Sequence, residues 1–388
     1  MTIGNYSLRG VSSSKEDVHK AIKNLDKGIY PNAFCKILPD YLGNNKNYCN
    51  ILHADGAGTK PVLAYLHWKE FKDPEIWKGI IQDAIVMNLD DLLCVGATGP
   101  FLLSSLIARN KYKIEGEVIS HLISATQKII NEFKKSGIKI ILTGGETEDV
   151  GDVVKTLSVN FTMACRMKRI EVIPVNIEPG DVIVGLSSSG VTKYEKDFNS
   201  GIGCNGLTSA RHDLLSKHYS IKYPESYDTE IPENLVYSGK NKLNQKKSGV
   251  NPDITNYLLS PTRTYSPLLL EIFKYDRKKI NGIIHCTGGG QTKVLHFIKS
   301  NHVIKNNLFP IPPVFSLIKE QSQTQWEEMY KVFNMGHRME IYTNESVANT
   351  IIKKSRKFGI DARIIGYVEK SKTKKLSIMT EHGDFVYS

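Results

Sequence analysis

The chain has 388 residues, of which 40% are hydrophobic and 23% are charged, and this composition is typical of a globular protein with two domains. Its formal net charge is +11, but the lysines are spread along the chain, so we interpret the charge as a solvated surface and expect no nucleic-acid partner. No apolar run is long enough to span a membrane, the start lacks the pattern of a secretory leader, and the six scattered cysteines suggest no disulfide framework, so we expect a cytoplasmic protein.

Strand and helix patterns alternate along the first half of the chain, which predicts a mixed α/β domain. Apolar and β-branched runs predict strands at 48–54, 100–108, 139–142 and 153–167, and helical spacing predicts helices at 75–96 and 118–133. The third of these strands is expected to be buried and to end at Thr143-Gly-Gly-Glu146.

A turn at Glu178-Pro-Gly-Asp181 predicts the boundary between two domains, 1–172 and 173–388. The second domain has predicted strands at 181–187, 282–286, 339–343 and 362–368, and predicted helices at 265–273 and 347–358. Between about 191 and 250 the chain is polar, and we interpret this stretch as a mobile insertion that could serve as a lid. The predicted fold class is therefore α+β, a mixed α/β chain of two domains.

The first candidate site is Asp55-Gly-Ala-Gly-Thr-Lys60, which lies between a predicted strand and a helix with Pro61 in its first turn. Its glycines would let backbone N–H groups approach phosphate oxygens, Lys60 would add a positive charge, and Asp55 could hold a cation. The spacing matches neither of the common glycine-rich nucleotide motifs. Taken alone, the segment is equally consistent with a tight structural turn.

Two acidic segments are further candidates. Asp90 and Asp91 lie in the mostly apolar predicted helix 75–96, where buried carboxylates are costly unless a cation meets them. The segment Thr143-Gly-Gly-Glu-Thr-Glu-Asp149 follows a hydrophobic strand, and loops at strand ends commonly bind ligands. Each segment could also be a solvated acidic surface, but the three segments together supply what an ATP–Mg²⁺ site needs.

These three segments resemble the ATP-site motifs of the aminoimidazole ribonucleotide synthetase superfamily, which also includes formylglycinamide ribonucleotide amidotransferase, selenophosphate synthetase, thiamine monophosphate kinase and a hydrogenase maturation protein. Three segments of the second half resemble the synthetase family itself, the phosphoribosylformylglycinamidine cyclo-ligases: Leu258–Tyr265, Ile284–Gly290 and Met329–Gly336. Their order and approximate separations match over nearly the whole chain.

The resemblance implies ATP and Mg²⁺ as cofactors and formylglycinamidine ribonucleotide as the substrate. It implies a metal site of Asp55, Asp91 and Glu146, and catalytic roles for Lys60, Asp91 and His285. The implied nucleotide contacts are Asp55, Gly56, Gly58, Thr59, Lys60, Asp91, Gly144, Gly145 and Glu146. The implied substrate contacts are Asn205, Thr262, Arg263, His285, Thr287, Gly288 and Gly289, with Arg263 as a phosphate fork. The family also implies a homodimer in which first-domain strands of two subunits form a shared barrel, and a second domain built as an α/β sandwich.

Three departures from the family pattern concern the site. Asp90 stands where the family usually has Asn, and it adds a negative charge. Gln291-Thr-Lys replaces the usual Glu-Asn continuation after the triple glycine, and the usual Ser-Gly-Pro-His-Ser-Asn-Gly turn is stretched between Ser189 and Gly206. The N-terminal segment, which folds over the nucleotide in the family, matches only at Gly10-Val11.

The implied reaction begins when the formamide oxygen of formylglycinamidine ribonucleotide attacks the γ-phosphate of ATP and forms an imidoyl phosphate. The nearby nitrogen then closes the five-membered ring and expels phosphate, with Lys60 and Mg²⁺ neutralising charge and His285 as a candidate base. Two alternatives stay open: a superfamily relative that phosphorylates another small molecule, and a non-catalytic nucleic-acid-binding protein suggested by the net charge.

The replacement Asp91→Asn tests the metal assignment. We expect it to abolish ATP turnover while the protein stays folded, because an amide cannot neutralise a divalent cation as a carboxylate does. ADP release measures turnover, and circular dichroism measures folding. Near-normal turnover in the variant would refute the assignment.

Overall fold

The computed structural model describes residues 4–12, 16–244 and 253–388, and its strands form two separate sheets. The strands are β1 (Ile37–Pro39), β2 (Tyr48–Gly56), β3 (Phe101–Arg109), β4 (Ile140–Asp149), β5 (Leu157–Lys168), β6 (Val182–Ser187), β7 (Ile280–His285), β8 (Asn301–Lys305), β9 (His337–Thr343), β10 (Ala362–Lys370), β11 (Lys375–Thr380) and β12 (Gly383–Tyr387). The α-helices are α1 (Asn5–Leu8), α2 (Glu16–Ile22), α3 (Lys60–Phe71), α4 (Ile76–Cys94), α5 (Gly116–Lys135), α6 (Leu207–Leu214), α7 (His218–Lys222), α8 (Ile254–Leu259), α9 (Ser266–Tyr275), α10 (Pro313–Ser322), α11 (Trp326–Val332) and α12 (Glu345–Lys357). The first sheet contains β1 to β5 and the second contains β6 to β12, so the predicted mixed α/β architecture with two domains is confirmed.

The first sheet has the strand order β1-β2-β5-β3-β4, in which β3 and β4 are parallel and the other neighbours are antiparallel. Burial alternates along β5, as expected for a strand with one face on the core, and α4 packs against β2 and β5 on that face. The opposite face, here called the open face, carries a row of paired residues across four strands: Leu52, Ala164, Leu102 and Ile141. Leu52 is 66% exposed. The shared barrel stays a prediction.

The second sheet is also mixed, with the strand order β12-β11-β8-β10-β6-β9-β7. Strands β8 and β11 are parallel, and the other neighbours are antiparallel. Every residue of β9 is buried, and α12 packs against β6 and β10. The second domain is therefore a sheet with helices packed on it. The C-terminal end of β7 and the N-terminal end of β9 lie next to each other at the boundary with the first domain.

Helix α4 is the element that both domains share. Most of its residues are buried, because it packs on the first sheet and also contacts β7 and α9 of the second domain. A helix buried on all sides needs apolar residues all round, and this sequence provides them with four exceptions in the buried part: Asp83, Asn88, Asp90 and Asp91. Because buried polar groups are costly without partners, these four side chains require polar groups from neighbouring elements.

Two sequence predictions need correction. The strand predicted at 139–142 continues through the glycines to Asp149, and after Ile140 it is an exposed edge strand instead of a buried one. The pairing register shifts near Gly144 (φ +101°), and this bulge lets the strand pass the glycines without ending in a loop. The insertion 191–250 is packed as far as 244, since it contains α6 and α7 and buries Tyr219 and Tyr237. Residues 245–250 of the insertion lie outside the described residues.

All six cysteines are buried free thiols. Burial raises the pKa of Cys49 and that of Cys165 to about 11 each, so neither is a thiolate at neutral pH. Among the helices of the described ranges, none combines the length and the apolar character that a membrane crossing requires.

Candidate active site

The centre of the site is the carboxylate of Asp91 in α4. Its Oδ1 lies 2.6 Å from Nδ1 of His285 at the end of β7, and its Oδ2 lies 3.2 Å from Nε2 of His53 in β2. Burial alone would raise the pKa of Asp91, but the hydrogen bonds and charges of the two histidines outweigh burial and lower that pKa. Asp91 therefore stays a carboxylate, and it joins a strand of each domain.

His285 is completely buried, and both of its ring nitrogens have partners. Nδ1 donates to Asp91, because a carboxylate can only accept, and Nε2 accepts a hydrogen bond of 3.1 Å from Nε of Arg338 in β9. These two bonds select the neutral tautomer with its hydrogen on Nδ1. Since neither nitrogen is open to a substrate, the geometry does not support the base role predicted for His285.

His53 forms the more exposed end of this chain of hydrogen bonds, with 20% of its side chain accessible. Nδ2 of Asn88 donates to two backbone carbonyls at 3.0 Å, those of Asp55 and Ala84. Oδ1 of Asn88 therefore faces Nδ1 of His53, at 3.1 Å, so both ring nitrogens of His53 face acceptors. Burial lowers the pKa of His53, but the hydrogen bond and charge of Asp91 outweigh burial and raise it. The arrangement favours a positively charged His53.

Asp90 is completely buried and faces the second domain. Its Oδ1 accepts a hydrogen bond of 2.8 Å from Oγ1 of Thr264, and its Oδ2 lies 3.3 Å from the backbone nitrogen of Tyr265 and 3.7 Å from Nη2 of Arg338. Burial raises the pKa of Asp90, and the surrounding positive charge and hydrogen bonds only partly oppose the rise. The charge that Asp90 adds relative to the family's Asn is thus met by Arg338.

Lys60, which the sequence predicts to contact phosphate, is completely buried. Its Nζ donates to Oδ1 of Asp83 at 3.0 Å and to the carbonyl of Ser260 at 2.5 Å. The same Oδ1 accepts from the N–H and the hydroxyl of Thr262, each at 2.6 Å. Lys60 is therefore the counter-ion of a buried carboxylate, and with Thr262 it joins α3, α4 and the loop before α9.

Arg263 is also buried, and its guanidinium is engaged within the chain. Nε donates to Glu195 at 2.8 Å, and the two terminal nitrogens donate to the carbonyls of residues 187, 189 and 190. These bonds shape the start of the stretched turn. They also compete with the phosphate-fork role predicted for Arg263.

The glycine-rich turn at 56–59 leads from β2 into α3. A Cβ at Gly56 would lie 2.5 Å from the backbone carbonyl oxygen of Val159 in β5, so only glycine fits there. Gly58 has φ of +57°, which glycine adopts without strain, and it is exposed. Glycine is therefore needed at the two positions for different reasons: close packing at Gly56 and the backbone conformation at Gly58.

The same turn faces the N-terminal end of α6. Oγ1 of Thr59, next to Gly58, lies 3.0 Å from Oγ1 of Thr208 in the first turn of that helix. Asn205, a predicted substrate contact, comes two residues before the helix begins. Unpaired N–H groups at a helix N-terminus attract phosphate, so this exposed junction between the two domains is suited to anionic groups.

The three predicted metal ligands do not converge within one chain. Strand pairing puts Asp55 in a row with Phe161, which faces the core, and puts Glu146 in a row with Leu106, which is exposed on the open face. The side chains of Asp55 and Glu146 therefore lie on opposite faces of the sheet. Both carboxylate oxygens of Asp91 are bonded to histidines. A single Mg²⁺ ion held by all three carboxylates does not fit this geometry.

The remaining predicted contacts lie in two places. Residues 144–145 belong to the edge strand β4, and residues 287–289 form the turn directly after His285. Gln291, at the second of the three departures from the family, is completely buried and donates to the carbonyl of His337 at 3.0 Å. It therefore supports the turn from within.

The sequence analysis misses three residues of the site: His53, Asp83 and Arg338. His53 lies two residues before Asp55, so the two-residue period of a strand puts both on one face and could have revealed it. Asp83 lies two helical turns before Asp90 on the same apolar helix. An acid in such a helix needs a polar partner, so Asp83 could have been recognised in the same way as Asp90 and Asp91. Arg338 lies far along the chain, and no spacing rule connects it with α4.

Comparison with known proteins identifies the family. Residues 37–167 match the N-terminal domain, and residues 178–378 the C-terminal domain, of the AIR synthase related proteins. The phosphoribosylformylglycinamidine cyclo-ligase of Methanococcus vannielii is 30% identical over 343 residues, which are 87% of this chain and 84% of the relative. That of Methanocaldococcus jannaschii is 30% identical over 377 residues, which are 94% of this chain and 92% of the relative. This chain belongs to the AIR synthase family.

Solved structures share the fold of this AIR synthase family member. PurL of Thermotoga maritima complexed with FGAR superposes with a TM-score of 0.56 at 14% identity, over 97% of this chain and 49% of that chain. The chain thus spans about half the length of that protein. A chain of a HypE–HypF complex superposes with a TM-score of 0.54 at 14% identity, over 96% of this chain and 98% of that chain. At these identities the likeness concerns the fold alone.

The buried pair of Lys60 and Asp83 predicts a large stability effect in this family member. The replacement Lys60→Met should lower the free energy of unfolding by about 3–5 kcal/mol, because Asp83 would remain buried without its counter-ion. Urea unfolding followed by tryptophan fluorescence measures the change.

The matched control is Lys78→Met, which removes a lysine of α4 that pairs with Glu132 at 2.7 Å near the surface. It should lower the free energy of unfolding by less than about 1 kcal/mol. If both variants were equally stable and Lys60→Met instead raised the KM for ATP, the phosphate contact predicted from the sequence would be correct.

Proposed function

We propose that this AIR synthase family member catalyses the ATP-dependent cyclisation of formylglycinamidine ribonucleotide to 5-aminoimidazole ribonucleotide, a step of purine biosynthesis that takes place in the cytoplasm. The observation that carries the proposal is the 30% identity to two phosphoribosylformylglycinamidine cyclo-ligases, over 87% and 94% of the chain. Both relatives are matched over most of their own length, so the likeness covers both domains and the boundary between them.

The glycine-rich turn and the N-terminal end of α6 support an ATP site. Thr59 and Thr208 bring the two elements together, and the N-terminal end of a helix is a place where backbone N–H groups suit phosphate oxygens. PurL of Thermotoga maritima, which shares the fold, has been solved complexed with ATP. Asp55 lies beside this turn, but since the three predicted magnesium ligands do not converge in one chain, the metal site stays outside this proposal.

The chemistry needs one phosphoryl transfer and one ring closure. The formamide oxygen of the substrate attacks the γ-phosphorus, the bond to the bridging oxygen breaks, and ADP leaves. The neighbouring nitrogen then attacks the imidate carbon, phosphate leaves with the former formamide oxygen, and the nitrogen loses a proton. Little covalent chemistry is asked of the protein, so its main contribution is to fix the two reactants beside preorganised polar groups.

The direct test is an assay with the purified chain, ATP, Mg²⁺ and formylglycinamidine ribonucleotide. We expect ADP and the aminoimidazole product to appear in equal amounts, because one phosphoryl transfer precedes each ring closure. Parallel reactions without the acceptor, and with formylglycinamide ribonucleotide in its place, are the controls. ADP release only with a different acceptor would identify another activity, and the absence of ADP release with any acceptor would contradict an ATP-dependent enzyme.

The open face of the first sheet supports the proposal of a homodimer. Leu52, Leu102 and Ile141 are 66%, 44% and 41% exposed, and they lie in one row across the sheet. A contiguous exposed apolar patch on a soluble chain commonly marks a protein interface. We therefore propose that two subunits cover this face by packing their first sheets together.

The replacement Leu102→Glu should separate the proposed dimer into monomers, because it buries a charge at the centre of the interface. The matched control Ile221→Glu changes an 82% exposed residue of α7, outside the sheet, and should leave the dimer intact. Sedimentation velocity at micromolar concentration distinguishes the two states. A monomeric wild-type chain, or a dimeric Leu102→Glu variant, would contradict the proposed interface.

A further inference from the structure

We propose that a cleft between the two domains binds a polyphosphate, either inorganic or the phosphate chain of a nucleotide. This basic cleft is lined by the C-terminal ends of α5, α9 and α12 and by the stretched turn, and its volume is about 960 Å³. That volume is large enough for a small organic ligand. Among the described residues that line it, none belongs to the glycine-rich turn at 56–59 or to α6, so the cleft is separate from the proposed ATP site.

Positive charge is in excess in the basic cleft. Five basic and two acidic side chains line it: Lys135, Lys193, Lys274, Arg277 and Lys357, with Glu171 and Glu271. Glu271 pairs with Lys274 at 3.3 Å, and Glu171 adds an attractive charge beside Arg277. Within the described ranges, the other three lysines form no ion pair. The cleft therefore presents three positive charges that no acidic side chain neutralises.

The helix dipole explains only part of this pattern. Lys135 lies in the last turn of α5 and Lys357 in the last turn of α12, where a positive charge meets the negative end of a helix. Each helix end carries about half a negative charge, so the two ends reduce the excess of three positive charges without cancelling it. The dipole does not explain Lys193, which lies in no helix. Like charges that line one concave surface repel each other, and a bound anion removes that repulsion.

The backbone fixes Lys193 beside the end of α12. Its N–H donates to the carbonyl of Phe358 at 2.9 Å, and the hydroxyl of the next residue, Tyr194, donates to the carbonyl of Thr264 at 2.6 Å. Both residues belong to the stretched turn, one of the departures from the family pattern. Because the segment is already held in place, less entropy is lost when a ligand binds to it. The stretched turn thus contributes a preorganised part of the cleft that the family pattern lacks.

The wall formed by α9 is partly apolar. Pro267, Leu270 and Phe273 line it, and the guanidinium of Arg277 lies 4.8 Å from the centre of the Phe273 ring. The lysines suit a phosphate chain, and an apolar wall beside them suits a ring attached to that chain. Two probes that differ in the nucleoside, tripolyphosphate and GTP, therefore distinguish the two sources of the same polyphosphate chemistry.

Two triple variants, which lose the same charge from the same three elements, provide a matched comparison. The cleft variant carries the replacements Lys135→Gln, Lys193→Gln and Lys357→Gln. The control variant changes exposed neighbours in the chain that do not line the cleft: Lys134→Gln, Lys196→Gln and Arg356→Gln. Any difference between the two variants thus reports on the cleft and not on the net charge of the chain.

Isothermal titration calorimetry with tripolyphosphate measures the affinity. The cleft variant should bind about 10- to 100-fold more weakly than the wild type, because three exposed charge contacts are lost, and the control variant should stay within about threefold of the wild type. The affinity of the wild type should fall as NaCl rises from about 50 to about 300 mM. Tighter binding of GTP would identify a nucleotide as the ligand, and equal binding would show that the phosphate chain suffices.

Equal affinities of the two variants for tripolyphosphate would overturn the proposal, because the anion would then bind elsewhere or respond to net charge alone. No binding to the wild type at about millimolar tripolyphosphate, an affinity that even weak specific sites reach, would overturn it as well. Neither titration contains formylglycinamidine ribonucleotide, so the result is independent of the proposed function.

Lysine acetylation of the wild-type chain, read by mass spectrometry, gives a second measurement that needs no variant to fold. Tripolyphosphate should slow the acetylation of Lys135, Lys193 and Lys357, which are exposed without it, but not that of Lys134 and Lys196. Equal protection of all five lysines, or protection of none, would overturn the proposal.

Discussion

Four polar side chains on a helix that is buried on all sides determine how the two domains of this protein meet. Asp83, Asn88, Asp90 and Asp91 would each be costly inside the protein without partners, and the partners come from β2, α3, β7, β9 and the loop before α9. The observed placement of the two sheets around α4 brings all these groups into range. The contact between the domains and the candidate active site are therefore the same set of interactions.

The order of charges along this network explains why it can be buried. His53, with an acceptor at each ring nitrogen, is followed by the negative Asp91, the neutral His285, the positive Arg338 and the negative Asp90. Each charged group lies at hydrogen-bond distance, or slightly farther, from a group of opposite charge. Their attraction therefore offsets much of the hydration free energy that is lost on burial. A polar network that is already paired does not have to reorganise when charge develops on a substrate, which is the condition for electrostatic stabilisation of a transition state.

The sequence predicts the parts of this arrangement that depend on local patterns. The strand before Asp55, the long helix around Asp91 and the strand that ends at His285 all follow from apolar spacing, and each lies within a few residues of its predicted place. Periodicity does not report which distant groups will meet. The pairing of Asp90 with Arg338 depends on how the two domains pack, and that of Lys60 with Asp83 depends on how α3 packs against α4, so no local pattern of the sequence signals either pair.

The six enclosed thiols have a practical consequence. An alkylating reagent can reach a cysteine of this chain only when the surrounding structure opens, so the rate of labelling measures the free energy of that opening. Cys49 and Cys165 lie in the first sheet, Cys286 directly follows β7, and Sγ of Cys94 lies 3.8 Å from Sδ of Met339 across the domain boundary. The native chain thus contains reporters for each domain and for the contact between them, without an introduced label.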